Sequence, residues 1–128
     1  MTFLEFVKTH PDFWKSAATM LDAVLTNGID DTYTRAEREM IFAYASEDNE
    51  CNFCAEHHRD LAYSLGFDDS FTKENYINSD NAKLNNIKYI TAAARFVNNI
   101  VEDFDITKVT EQNITLKDTP VKYKGYTI

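Results

Sequence analysis

The chain has 128 residues, a net charge of -8, three glycines and two prolines. That length fits one ordinary domain with a core of its own, and so few turn-formers argue against an all-β fold. The acidity argues against a nucleic-acid partner, which calls for a basic face.

Thr2-x-x-Glu5 is a capping box that opens a short helix carrying Phe3, Phe6 and Val7. Pro11 suits the first turn of the next helix. Phe13/Trp14, Ala17/Ala18, Leu21 and Val24/Leu25 recur along it at helical spacing, and Asn27-Gly28 stops it. Thr34-x-x-Glu37 is a second capping box. The helix after it is apolar over much of its circumference (Ala36, Met40 to Ala45), the pattern of a buried helix.

Asp48 to Asn52 is a polar break, so the following helix begins near Cys51. Cys51, Cys54, His58, Leu61 and Leu65 then fall at i, i+3, i+7, i+10 and i+14, one inward-facing stripe that Gly66 terminates. Residues 67–80 read as a loop, bare or with a short helix in it. A long helix follows, with Ile87, Ile90, Ala94, Val97, Val101 and Phe104 in register, widened by Ala93, Phe96 and Ile100. Ile114-Thr115-Leu116-Lys117 and Val121-Lys122-Tyr123-Lys124 alternate around Asp118-Thr119-Pro120, the pattern of a weak hairpin or an extended tail. The sequence thus predicts a single all-α domain over residues 1–106 and an extended or hairpin-like tail over 107–128.

The amino terminus lacks a basic region followed by an apolar run, and no stretch nears the roughly 20 apolar residues of a membrane span. A cytoplasmic protein with no membrane partner is therefore expected. In that reducing setting two cysteines three apart make a poor staple, and the pair calls for a chemical role. A disulfide can close across the first turn of a helix, whose amino terminus stabilises a thiolate. A free thiol of pKa near 8.5 is only about 3% thiolate at pH 7, so that stabilisation matters. His58, one turn after Cys54, is placed to take or relay a proton.

Other uses of the pair are weaker. Zinc would draw on Cys51, Cys54, His57 and His58, but there is no second cysteine pair. His57 and His58 also point about 100° apart on a helix, with His57 turned toward solvent. Covalent haem needs histidine directly after the second cysteine, where Ala55 stands. Two buried core cysteines are the plain alternative. A thioredoxin-like arrangement would need a strand before the cysteines, where this chain has a capped helix. No cofactor is called for.

Thr34 to Ile41 followed by Cys51-Asn52-Phe53-Cys54-Ala55-Glu56-His57-His58 resembles the AhpD-like superfamily, the alkylhydroperoxidase and carboxymuconolactone decarboxylase group. Its pattern is Glu, eleven residues, Cys-x-x-Cys, three residues, His. Glu39, Cys51, Cys54 and His58 meet it at every spacing, within a stretch of resemblance from about Thr34 to Gly66. The resemblance implies an AhpD-like helical bundle and a homo-oligomer (dimer, trimer or hexamer). It also implies reduction of hydroperoxides or disulfide exchange through the two cysteines, with Glu39 and His58 as proton relay and a dithiol, thioredoxin-type or lipoyl-type reductant. Phe53 stands where some family peroxidases carry a histidine.

Read from its neighbours alone, Glu39 is a solvated charge among Glu37, Arg38 and Glu47, or a half-buried carboxylate between Phe42 and Ala43. Helix position favours Cys51 as the more exposed, lower-pKa thiol, whereas the resemblance implies Cys54 as the peroxide-attacking one. A disulfide-exchanging adaptor or redox-sensing protein is the alternative function. A lactone decarboxylase-type enzyme fits less well, since that subfamily generally lacks the cysteine pair. Trp14, Phe42, Tyr44 and Phe53 are candidates to line a pocket, although aromatics at such spacing more often form core.

Overall fold

Both capping boxes form. Thr2 N–H donates to Glu5 Oε2 (3.0 Å) while Glu5 N–H donates to Thr2 Oγ1 (3.1 Å), and Thr34 and Glu37 repeat the exchange. A computed structural model describes residues 1–74, 81–109, 122–123 and 126–127. Its helices are α1 (Phe3–Thr9), α2 (Pro11–Leu21), α3 (Arg35–Asp48), α4 (Asn52–Ser64) and α5 (Asn81–Asp103), and the last turn of α2 runs on as a π-helical turn over Asp22–Thr26. The protein is all-α in class. Among the described residues no helix is long and apolar enough to cross a membrane.

Helix α3 is the central element, packed against both α4 and α5. Nine of its residues are buried, as the all-round apolar pattern predicts, but two of them are Arg38 and Glu39. Arg38 is therefore not a solvated charge. Its Nε donates to Leu25 O (2.8 Å), its Nη2 to Thr26 O (3.1 Å) and its Nη1 to Tyr33 O. The guanidinium thus satisfies carbonyls that the π-helical turn and the loop after it leave open. Gly28, at φ +74°, makes room for it, since a Cβ there would sit 2.8 Å from the guanidinium carbon.

Helix α5 buries Ile87, Ile90, Ala93, Ala94, Val97, Ile100 and Val101. Phe96 and Phe104 leave the expected stripe and are exposed: Phe96 meets Phe13, and Phe104 meets Phe6 and His10. Beyond α5, Lys108 O accepts from Phe3 N–H (2.9 Å), Val109 O accepts from Leu4 N–H (3.1 Å), and Ile106 and Val109 join the core. Further on, Ile114 to Pro120 lie outside the described residues. The strands that are described, β1 (Lys122–Tyr123) and β2 (Tyr126–Thr127), pair Lys122 with Thr127 and Tyr123 with Tyr126. Lys122 and Tyr123, expected to pair back across Asp118-Thr119-Pro120, are thus partnered by residues that follow them.

Candidate active site

The site is built at the corner between α3 and α4. Helix α3 ends in a Schellman motif: Glu50 N–H donates to Glu47 O (3.0 Å) and Cys51 N–H to Ser46 O (2.9 Å). Glu50 takes the left-handed position, φ +60°, where glycine is usual. Cys51 therefore closes α3 and is at once the N-cap of α4. Cys54 follows one turn later, and the two are joined in a disulfide with Cα atoms 5.4 Å apart. Both sulfurs lie at the amino terminus of α4, where backbone N–H groups lacking intrahelical acceptors favour developing negative charge.

The two cysteines differ in environment. Cys51 is half-buried, while Cys54 is 2% exposed. On the Cys51 side lies a groove of about 600 Å³, whose lining includes Glu50, Cys51, Phe53, Glu56, Val101, Glu102 and Asp105. On the Cys54 side lies a cavity of about 20 Å³, bounded by Phe3, Trp14, Leu21, Phe53, Cys54, His57, His58, Val97 and Val101. Phe53 and Val101 line both spaces and so form the wall between them. The disulfide joins a sulfur on one side of that wall to a sulfur on the other.

Behind Cys54, His58 is buried and its Nδ1 lies 2.7 Å from Oε2 of Glu39, which is 1% exposed. The carboxylate is neither solvated nor half-buried but enclosed. With Nδ1–H donating to Glu39, Nε2 is the ring nitrogen left for other chemistry. The Phe42 ring lies against the imidazole, centroids 3.9 Å apart, and Arg35 Nε sits 3.8 Å from the other Glu39 oxygen. The pair is thus fixed in tautomer and orientation by a charge partner and an aromatic neighbour.

Glu39, Cys51, Cys54 and His58, chosen from spacing, are brought to one corner by α3 and α4. His57 is not turned to solvent. It is half-buried, stacks on Phe53 (centroids 6.1 Å, planes 10° apart) and borders the small cavity. Of the suggested aromatics, Trp14 and Phe53 border that cavity and Phe42 braces His58, whereas Tyr44 packs elsewhere in the core. Spacing alone assigns no role to Asn98. From α5 it donates through Nδ2 to Ser46 Oγ (3.0 Å) and accepts from Asn49 Nδ2 (3.0 Å), tying the α3–α4 corner to a helix some fifty residues away. An asparagine amid the apolar run of α5 is the signal that marks it. Among the described residues no group of three or more His, Cys, Asp or Glu side chains is disposed to hold a metal ion.

Comparison with family models, curated proteins and solved structures finds no match to this chain.

Proposed function

We propose that the protein is a thiol-disulfide redox enzyme that reduces hydroperoxides through a Cys51/Cys54 dithiol-disulfide cycle. The observation that carries this reading is the buried His58–Glu39 hydrogen bond behind a buried Cys54 whose disulfide partner borders an open groove. An imidazole held by a carboxylate is a proton relay, and a core has little other use for such a pair beside a disulfide. The four-residue spacing shared with the AhpD-like superfamily supports the same reading, and extends it to a cytoplasmic homo-oligomer.

In this scheme the Cys54 thiol gives its proton to His58, and the thiolate attacks the terminal oxygen of the hydroperoxide. The S–O bond forms and the O–O bond breaks. The leaving alkoxide takes the proton back from His58 as an alcohol, and Cys54 becomes a sulfenic acid. Cys51 then attacks the Cys54 sulfur. The S–S bond forms, and the departing hydroxide takes the Cys51 proton to leave as water. An external dithiol reopens the disulfide by attacking Cys51, the sulfur on the groove side, with Cys54 leaving as the thiolate.

The test mixes reduced protein with an organic hydroperoxide and counts free thiols against time. Loss of both thiols much faster than from a small dithiol is the expected result. A rate no greater than that of the small dithiol overturns the peroxidase reading, as full-rate peroxide consumption by Cys54→Ser overturns the assignment of the attacking sulfur. The groove at Cys51 favours a second reading, a disulfide-exchange adaptor whose substrate is a partner's disulfide. Rapid exchange with a protein or lipoyl disulfide, in a protein inert to peroxide, would support it.

A further inference from the structure

Trp14 is 1% exposed, and its indole N–H finds no hydrogen-bond acceptor among the described residues. A buried donor without a partner is uncommon, because its desolvation is not offset. Trp14 borders the same small cavity as Cys54, His57 and His58. The other lining residues, Phe3, Leu21, Phe53, Val97 and Val101, are apolar. Space of about 20 Å³ takes one water-sized ligand, which needs roughly 10–15 Å³ on this measure and at least two polar partners. The lining residues that carry polar atoms are Trp14, Cys54, His57 and His58, and of these the Trp14 indole N–H is the buried donor without an acceptor.

We infer that this cavity is a binding site for a single oxygen atom, with the Trp14 indole N–H as its hydrogen-bond donor. In the disulfide form the ligand is a water molecule. In the dithiol form it is the terminal oxygen of a hydroperoxide, the atom that Cys54 attacks and then carries as sulfenic acid. This second half rests on the hydroperoxide reading, while the water site does not. The donor does two things in the reaction. It orients the terminal oxygen toward the sulfur, and it holds the sulfenic hydroxyl until Cys51 displaces it as hydroxide. Nothing beyond the protein, the hydroperoxide and its two products enters the balance of these steps.

The chain has one tryptophan, so its indole N–H gives a single signal in a proton–nitrogen correlation spectrum. In the oxidised full-length protein, cross-relaxation between that proton and a long-lived water is expected, and its absence overturns the inference whatever the activity. Trp14→Phe keeps an aromatic ring and removes the donor. Its reduced form should lose thiols to hydrogen peroxide at least ~10-fold more slowly than the parent, in line with the loss of one aimed donor. Reduction of its disulfide by dithiothreitol should proceed at the parent rate, since that attack falls on Cys51. Equal peroxide rates in parent and variant overturn the role of Trp14, as does a parallel slowing of both reactions, which marks a merely structural residue. A parent protein inert to peroxide defeats the hydroperoxide reading and with it the second half, while the water signal still decides the first.

Discussion

His58 Nδ1 and Glu39 Oε2 stand 2.7 Å apart, a contact that joins α3 to α4 within the core. Both side chains are nearly inaccessible, so the pair is a matter of stability as well as chemistry. Removing one partner of a buried polar pair leaves the other without compensation, which costs about 3–5 kcal/mol. His58→Ala is expected to lower unfolding stability by about 3 kcal/mol in urea without reductant, with the Arg35 neighbour limiting the loss. Adding Glu39→Gln should recover part of it, for a coupling of about 1–3 kcal/mol. Strictly additive losses would show that the two groups do not depend on each other.

The same pair should control the rate of the first chemical step. Glu39→Gln keeps the shape of the side chain and removes the carboxylate that steadies a protonated imidazole. Thiol oxidation by peroxide should fall by about 100-fold, a usual loss for one member of a proton relay. The far-ultraviolet spectrum should remain that of the parent. Stopped-flow measurement of free thiols separates this outcome from unchanged kinetics, which would leave Glu39 a structural group.

Glu50 holds φ +60° one residue before the disulfide, and a left-handed conformation costs a non-glycine residue roughly 1–2 kcal/mol. Gly66 ends α4 with the same hydrogen-bond pattern at φ +85°, without that cost. Glu50→Gly should therefore stabilise the fold by about 0.5–1 kcal/mol, the strain relief less glycine's entropy in the unfolded chain. A lower urea midpoint in this variant would mean that contacts of the Glu50 side chain outweigh the strain.

Much of this corner is legible in the sequence because it is local. Two capping boxes and a cysteine stripe are patterns of three and four residues, which helical geometry converts directly into position. The burial of Glu39 and Arg38 is not legible in that way. Helix α3 is apolar on nearly every side, so its periodicity does not tell which polar residue meets solvent. Arg38 answers to backbone carbonyls on the π-helical turn and the following loop, whose course no periodicity encodes. Asn98 reaches the site from α5, and such a long-range contact has no sequence signature beyond a polar residue in an apolar run. Phe104 keeps the spacing of the α5 stripe, but the helix ends at Asp103, and the ring lies partly exposed beside Phe6 and His10.

Phe53 separates the groove at Cys51 from the cavity at Cys54, with Val101 as the other part of the wall. The inner cavity admits a water-sized group, so a bulky hydroperoxide must place its alkyl part across this wall. Phe53→Ala removes most of the barrier. The ratio of the rate with cumene hydroperoxide to that with hydrogen peroxide should rise by about 10-fold, the scale of discrimination that apolar pocket contacts provide. A ratio that stays constant would place the entry path elsewhere.

Trp14 and Cys54 border one small cavity, so the only tryptophan of the chain reports on the redox state of the pair. A disulfide accepts an electron from an excited indole at close range and quenches its emission, and two thiols do so less effectively. Reduction by dithiothreitol is therefore expected to raise Trp14 fluorescence, and reoxidation by peroxide to return it to the starting level. Because Trp14 is buried beside the disulfide, and reduction of the pair is expected to leave it so, the change should appear in intensity and not as a large shift in wavelength. Cys54→Ser prevents the disulfide from forming and should hold the emission at the high level whatever the reductant. An intensity indifferent to reduction in the parent protein would contradict the placement of the indole beside the disulfide. An intensity that follows dithiothreitol but never peroxide would keep that placement and favour the exchange reading over the peroxidase one.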